Sequence, residues 1–118
     1  MTAQLEAFPP LSVAAQHILL ALSNEDRHGY GIMQEVARQS GRTYKMGSGT
    51  LYDNLEKLID QGLVAESPRR SPKEDPRRRY YRLTAFGRRV FSAEILRLEG
   101  VVREAKLRLR GARPKEAL

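Results

Sequence analysis

Two groups of side chains are suited to gripping a polyanion. Between residues 68 and 79, Arg69, Arg70, Lys73, Arg77, Arg78 and Arg79 stand against Glu74 and Asp75, and six against two leaves +4. The whole chain carries +7, so more than half of the surplus sits in about a tenth of the length. Guanidinium groups hold phosphate through paired hydrogen bonds, and neutralising phosphates releases condensed counterions. Pro68, Pro72 and Pro76 keep this stretch extended and unable to add a strand. Such an arm is expected to follow a phosphate backbone or reach into a minor groove. The second group is Ser48-Gly49-Thr50, at the start of a helical pattern. Free amides and the helix dipole favour an anion there, and the small side chains allow close approach. The plainer readings are a solvated basic loop and a serine that only caps its helix.

Other chemistries find little support. Without Cys there is no disulfide, thiolate nucleophile or zinc finger. His17 and His28 lack metal-ligand spacing to any partner and read as structural. No Ser/His/Asp set, glycine-rich phosphate loop or isolated carboxylate pair stands out, so catalysis, a metal and a cofactor are not expected. Met1 to Pro10 does not read as a signal peptide, and no apolar run approaches the roughly 18 residues of a membrane span. The cytoplasm is therefore the expected compartment. The pI near 10.1 points to nucleic acid ahead of an idle basic surface, although an anionic membrane would attract it as well.

The elements that must position these groups follow from periodicity. With 118 residues, 41% hydrophobic and 30% charged, the chain suits one small soluble domain. Residues 1–10 read as a flexible leader, 11–83 as the main domain, 84–111 as a terminal helix and 112–118 as a frayed tail. Ser12 is the expected cap of a helix over 12–23, with Leu11, Ala15, Ile18, Leu19 and Leu22 on one face. Residues 24–29 read as a polar connection. A second helix runs from about residue 29 to Ser40-Gly41 and buries Ile32, Met33, Val36 and Ala37. The third is capped by Ser48, turns Leu51, Leu55, Leu58 and Ile59 inward and stops at Gly62. Leu63–Ser67 and Arg79–Leu83 then read as two strands flanking the basic loop. Thr84 caps the terminal helix, where Phe91, Ile95, Leu98, Val102, Ala105 and Leu109 follow a coiled-coil spacing.

The expected fold is mainly α with a small β-hairpin: a winged helix-turn-helix with a long C-terminal dimerisation helix. Its third helix would enter a major groove. Tyr30, Lys45, Ser48, Thr50, Tyr52, Asn54 and Lys57 are the expected contacts from the helical part, joined by Arg69, Arg70, Arg77, Arg78 and Arg79 from the loop. So small a domain has no surface to cover the far half of a 27-residue helix. Phe91, Ile95, Leu98, Val102, Ala105 and Leu109, with Ile18 and Leu22, are therefore assigned to a homodimer interface.

Three blocks carry a family resemblance. His28-Gly29-Tyr30-Gly31-Ile32 is followed by Gly49-Thr50-Leu51-Tyr52 with Leu55, Leu58 and Gly62-Leu63, then by Arg78-Arg79-Tyr80-Tyr81-Arg82-Leu83-Thr84 with Gly87. Together, over about residues 11–100, they resemble the PadR-like winged-helix regulators, in the smaller subgroup with a single helix after the wing. The resemblance implies bacterial or archaeal repressors that bind palindromic operators as homodimers. It also implies release by small apolar or aromatic effectors, or response to stress signals. Phe91, Ile95 and Leu98, with Ile18 and Leu22, are the residues placed around such an effector. Two departures stand out: the chain has no Trp, and Pro76 replaces the Gly expected near the wing tip. The rival readings are a protein-interaction winged helix docking an acidic partner, and a binder of double-stranded RNA.

Overall fold

A computed structural model describes residues 8–68 and 77–111. Its elements are α1 (Val13–Ala21), β1 (Arg27–His28), α2 (Gly29–Gln39), α3 (Ser48–Asp60), β2 (Val64–Ser67), β3 (Tyr80–Leu83) and α4 (Ala85–Gly111). The leader's first seven residues, most of the basic loop and the tail from residue 112 lie outside the described residues.

Local signals account for most of the boundaries. The Ser12 hydroxyl accepts from the Ala15 amide at 3.1 Å, and the Thr84 hydroxyl accepts from Gly87 at 2.8 Å, so two of the expected caps form. At the end of α3, Gly62 adopts φ +80, a conformation that costs glycine little. Leu63 N–H then reaches the Leu58 carbonyl, and Gly62 N–H reaches that of Ile59, closing the helix with paired bonds. The expected cap on α3 is different. Gly47 occupies the cap position with no side-chain bond, and Ser48 lies in the first turn. Its side chain is left exposed.

The core forms around α1. Ile18, Leu19 and Leu22 meet Ile32 and Val36 of α2 and Leu51, Leu55 and Leu58 of α3. Leu63, Val64, Tyr81, Val90 and Phe91 complete it. Fully burying an aliphatic side chain contributes about 1.5–3 kcal/mol, so this cluster dominates the stability of the fold. Three expectations change as a result. Ile18 and Leu22 are 0% and 2% exposed and Phe91 is 9% exposed, so all three belong to the subunit's own core. Their own side chains offer almost no surface to a second copy, although Val13 and Leu20 on α1 are 57% and 44% exposed. Ile59, expected inside, is 37% exposed at the edge of α3. Phe8 of the expected flexible leader packs edge-on against Phe86.

The wing holds one strand more than the periodicity suggests. β2 and β3 pair antiparallel from Val64↔Leu83 to Ser67↔Tyr80. On the other side of β3, Arg27 pairs with Tyr81 and His28 with Tyr80, giving the order β1-β3-β2. Two residues are too few to show an alternating pattern, so this strand is defined by its partner. It ties the wing directly to the start of α2.

Helix α4 changes character along its length. Gly87, Val90, Phe91 and Glu94 are buried, whereas residues 101–111 are all exposed. Glu94 falls between the seam positions Phe91 and Ile95, where a charged side chain is expected in solvent. It is instead 6% exposed and accepts from Leu11 N–H and Gln16 Nε2, both at 3.2 Å, and from Arg97 at 2.9 Å. The Arg97 guanidinium holds this carboxyl below the ordinary carboxylate range, outweighing the upward push of burial. Among the described residues, no helix is long and apolar enough to cross a membrane.

Candidate nucleic-acid interface

Helix α3 presents its N-terminus to solvent. Ser48, Gly49 and Thr50 are exposed, as are Lys45 before them and Lys57 two turns on. Tyr52 follows the buried Leu51 and is 49% exposed. Its ring lies so close over Gly29 that any Cβ there would overlap the phenol, so the glycine at the start of α2 sets where Tyr52 stands. Tyr30 is 59% exposed. Asn54 is more constrained than its position suggests: its amide donates to the Thr50 carbonyl at 2.8 Å. The bond uses one N–H and leaves the second N–H and Oδ1 for another partner.

The base of the wing supplies cations beside this helix. Arg77, Arg78 and Arg79 are exposed. Arg79 lies 3.9 Å from Glu66, an exposed pair that adds little to stability. With His28, Gly29, Tyr30, Tyr52 and Tyr81, the three arginines line a cleft of about 470 Å³. Residues from β1, α2, α3 and the wing thus converge on one polar, cationic surface. Arg69 and Arg70 lie outside the described residues.

His28 is the member of this cleft that sequence reasoning passed over. It occupies the cap position of α2, where its Nδ1 accepts from the Gly31 amide at 3.0 Å. Its Nε2 lies 2.8 Å from Arg78 Nη1, and its ring meets Tyr80 edge-on. Burial first, and the Arg78 charge second, hold the imidazole below its ordinary pKa and favour its neutral form. The usable signal was its place before Gly29-Tyr30-Gly31, but histidine is not among the favoured cap residues. His17 does behave as structural filling, stacked on Tyr44.

A second exposed surface lies on distal α4. Ile95, Leu98, Val102 and Leu107 line an open groove of about 510 Å³. Val101, Ala105 and Leu109 line another of about 740 Å³. The expected interface residues therefore divide between two faces of the helix. Ile18, Leu22 and Phe91, expected beside Ile95 and Leu98 around an effector, fill the core instead.

Comparison with known proteins agrees with this architecture. The model of the transcriptional regulator PadR-like family matches residues 18–93. The transcriptional regulator Rv3488 of Mycobacterium tuberculosis is 33% identical over 88 residues, covering 75% of this chain and 78% of that protein. The structure of RosR from H. salinarum superposes with a TM-score of 0.58 at 32% identity, over 80% of this chain and 76% of the other. Bacillus subtilis PadR in complex with operator DNA shares the fold, with a TM-score of 0.58 at 23% identity. That match covers 72% of this chain and 47% of PadR. The chain belongs to the PadR-like family of transcriptional regulators.

Proposed function

We propose that the protein is a sequence-specific, double-stranded DNA-binding regulator that acts in the cytoplasm as a homodimeric repressor on a palindromic operator. The observation that carries this reading is the convergence of the exposed α3 N-terminus, Tyr30, Tyr52 and Arg77–Arg79 on one cleft. Phosphate contacts from the wing would set the register, and the exposed face of α3 would read base edges. The operator complex of Bacillus subtilis PadR supports the same use of the fold. Residues 11–83 act as the DNA-binding domain, and residues 84–111 as the helix that joins two copies.

The distal face of α4 supports the dimer, since its apolar side chains are left uncovered by the other described residues of the subunit. Two copies would present α3 to successive major grooves about 34–36 Å apart. A small apolar or aromatic effector that bound one inter-subunit angle better than another would release DNA. Ile95 and Leu98 are the residues we assign to it.

The test selects duplex fragments of the source genome on the purified protein and measures its mass by sedimentation. Enrichment of fragments with inverted repeats by a species of twice the subunit mass is the expected result. A monomer that ignores every fragment in dilute buffer would overturn the proposal. Capture of an acidic protein instead would favour the interaction-module reading, and preference for A-form duplex would favour RNA.

A further inference from the structure

A neutral imidazole has one lone-pair nitrogen and one N–H. At His28, two donors claim that single lone pair: the Gly31 amide at 3.0 Å from Nδ1, and Arg78 Nη1 at 2.8 Å from Nε2. The Gly31 amide belongs to the first turn of α2 and is held there by the helix, with His28 as its cap. With Nδ1 as the acceptor for that amide, Nε2 carries the hydrogen. Nε2–H and the Arg78 guanidinium then face each other as two donors with no acceptor between them. The pair stands in the polar cleft that Tyr30, Tyr52, Arg77 and Arg79 also line. Protonation does not resolve the conflict, because it would add a second cation beside Arg78 and remove the cap's acceptor.

We propose that His28 Nε2–H and Arg78 form a two-donor site for one non-bridging oxygen of a DNA backbone phosphate, with His28 locked in its donor tautomer by its role as the cap of α2. The inference rests on the DNA-binding reading and adds a residue that α3 and the wing charges do not account for. On binding, Arg78 moves off the imidazole by the width of the incoming oxygen, and both N–H groups converge on it. The site reads the backbone rather than sequence, so it acts on any B-form duplex. Because α2, β1 and the wing meet at His28, the contact also fixes the wing against the helix pair.

The probe is a mixed-sequence duplex of about 20 base pairs, titrated with the full chain over a salt series. His28→Asn keeps a side-chain oxygen for the Gly31 amide but lacks a donor at the Nε2 position. It should weaken binding about three- to tenfold with an unchanged salt slope, since a neutral donor displaces no counterion. Arg78→Gln should reduce the slope by about 0.9. The double variant should lose less than the product of the two single losses, because both donors share one oxygen. Nitrogen-15 spectra of the imidazole should show the Nε2–H tautomer in the free protein, with a shift of Nε2 on adding duplex.

Multiplicative losses, an Nδ1–H tautomer, or wild-type binding by a His28→Asn variant of unchanged thermal midpoint would each overturn the site. So would an imidazole that responds to inorganic phosphate alone and not to duplex. If the wild-type chain binds no duplex at any salt concentration, the broader functional reading fails with it. Normal wild-type binding with an unaffected variant removes only His28.

Discussion

The cleft beside α3 and the distal half of α4 are both exposed, yet they are built in opposite ways. The cleft draws His28, Tyr30, Tyr52 and Arg77–Arg79 from three separate stretches of chain and is polar and cationic. The distal surface comes from one helix and carries apolar grooves between charged side chains, with Leu96, Val101, Leu107 and Leu109 between 54% and 83% exposed. A polar cleft is comfortable in water and waits for an anion. Apolar side chains on an uncovered helix instead lower their free energy by being covered, at about 25 cal/mol per Å² removed from water. Exposure alone therefore identifies neither partner; the chemistry of the exposed atoms does.

The contrast can be broken most sharply at the apolar end. Placing two carboxylates there with Val102→Glu and Leu109→Glu should disperse a dimer while leaving the thermal midpoint of the subunit nearly unchanged. Losing bivalent attachment should then weaken operator binding by about a hundredfold or more. A well-folded, still dimeric variant in sedimentation would refute the assignment of this helix. Next in size, Phe91→Ala should destabilise the subunit by about 3–5 kcal/mol in chemical denaturation, because Phe91 is in the core. The same truncation at Leu109, which is 83% exposed, should cost the fold nearly nothing.

Glu94 marks the boundary between the two regimes and gives a smaller effect. Glu94→Ala strands the Leu11 amide and leaves Gln16 Nε2 only the Leu11 carbonyl, and should cost about 1–3 kcal/mol. Glu94→Gln keeps an acceptor and should cost less. Its lowered carboxyl pKa means that the unfolded chain binds the proton more readily than the folded one. Stability from this group is therefore present above the ordinary carboxylate range and is lost as pH falls through the folded value. Unfolding midpoints measured between pH 6 and pH 3 should converge for wild type and Glu94→Gln. A constant gap would show that Arg97 does not act on this carboxyl.

What could be read from the chain divides along the same line. The helices were legible because Leu51, Leu55 and Leu58, or Ile18 and Leu22, recur at helical spacing and must face an apolar interior. Phe91 and Leu109 share one pattern in sequence, but only the packed fold separates them. Amphipathic spacing records that a side will be covered, and not whether by this subunit or another. Ile18 and Leu22 were misassigned for the same reason. The exposure of Lys45, Ser48, Thr50, Tyr52, Lys57 and Arg77–Arg79 was legible from type and neighbourhood. His28 was not, because its role depends on a two-residue strand paired with Tyr80 and on Arg78, fifty positions away. Glu94 was hidden likewise, since a carboxylate among charged neighbours looks solvated until Leu11 and Gln16 are brought to it.

The most direct test of the account is the salt dependence of duplex binding by the wild-type chain and by Arg77→Ala/Arg78→Ala/Arg79→Ala. Each phosphate contact contributes about 0.9 to the slope of log affinity against log salt, so removing three cations should flatten it by about two to three units. An unchanged slope, with the variant folded and bound to the same duplex, would contradict the wing's place in the interface.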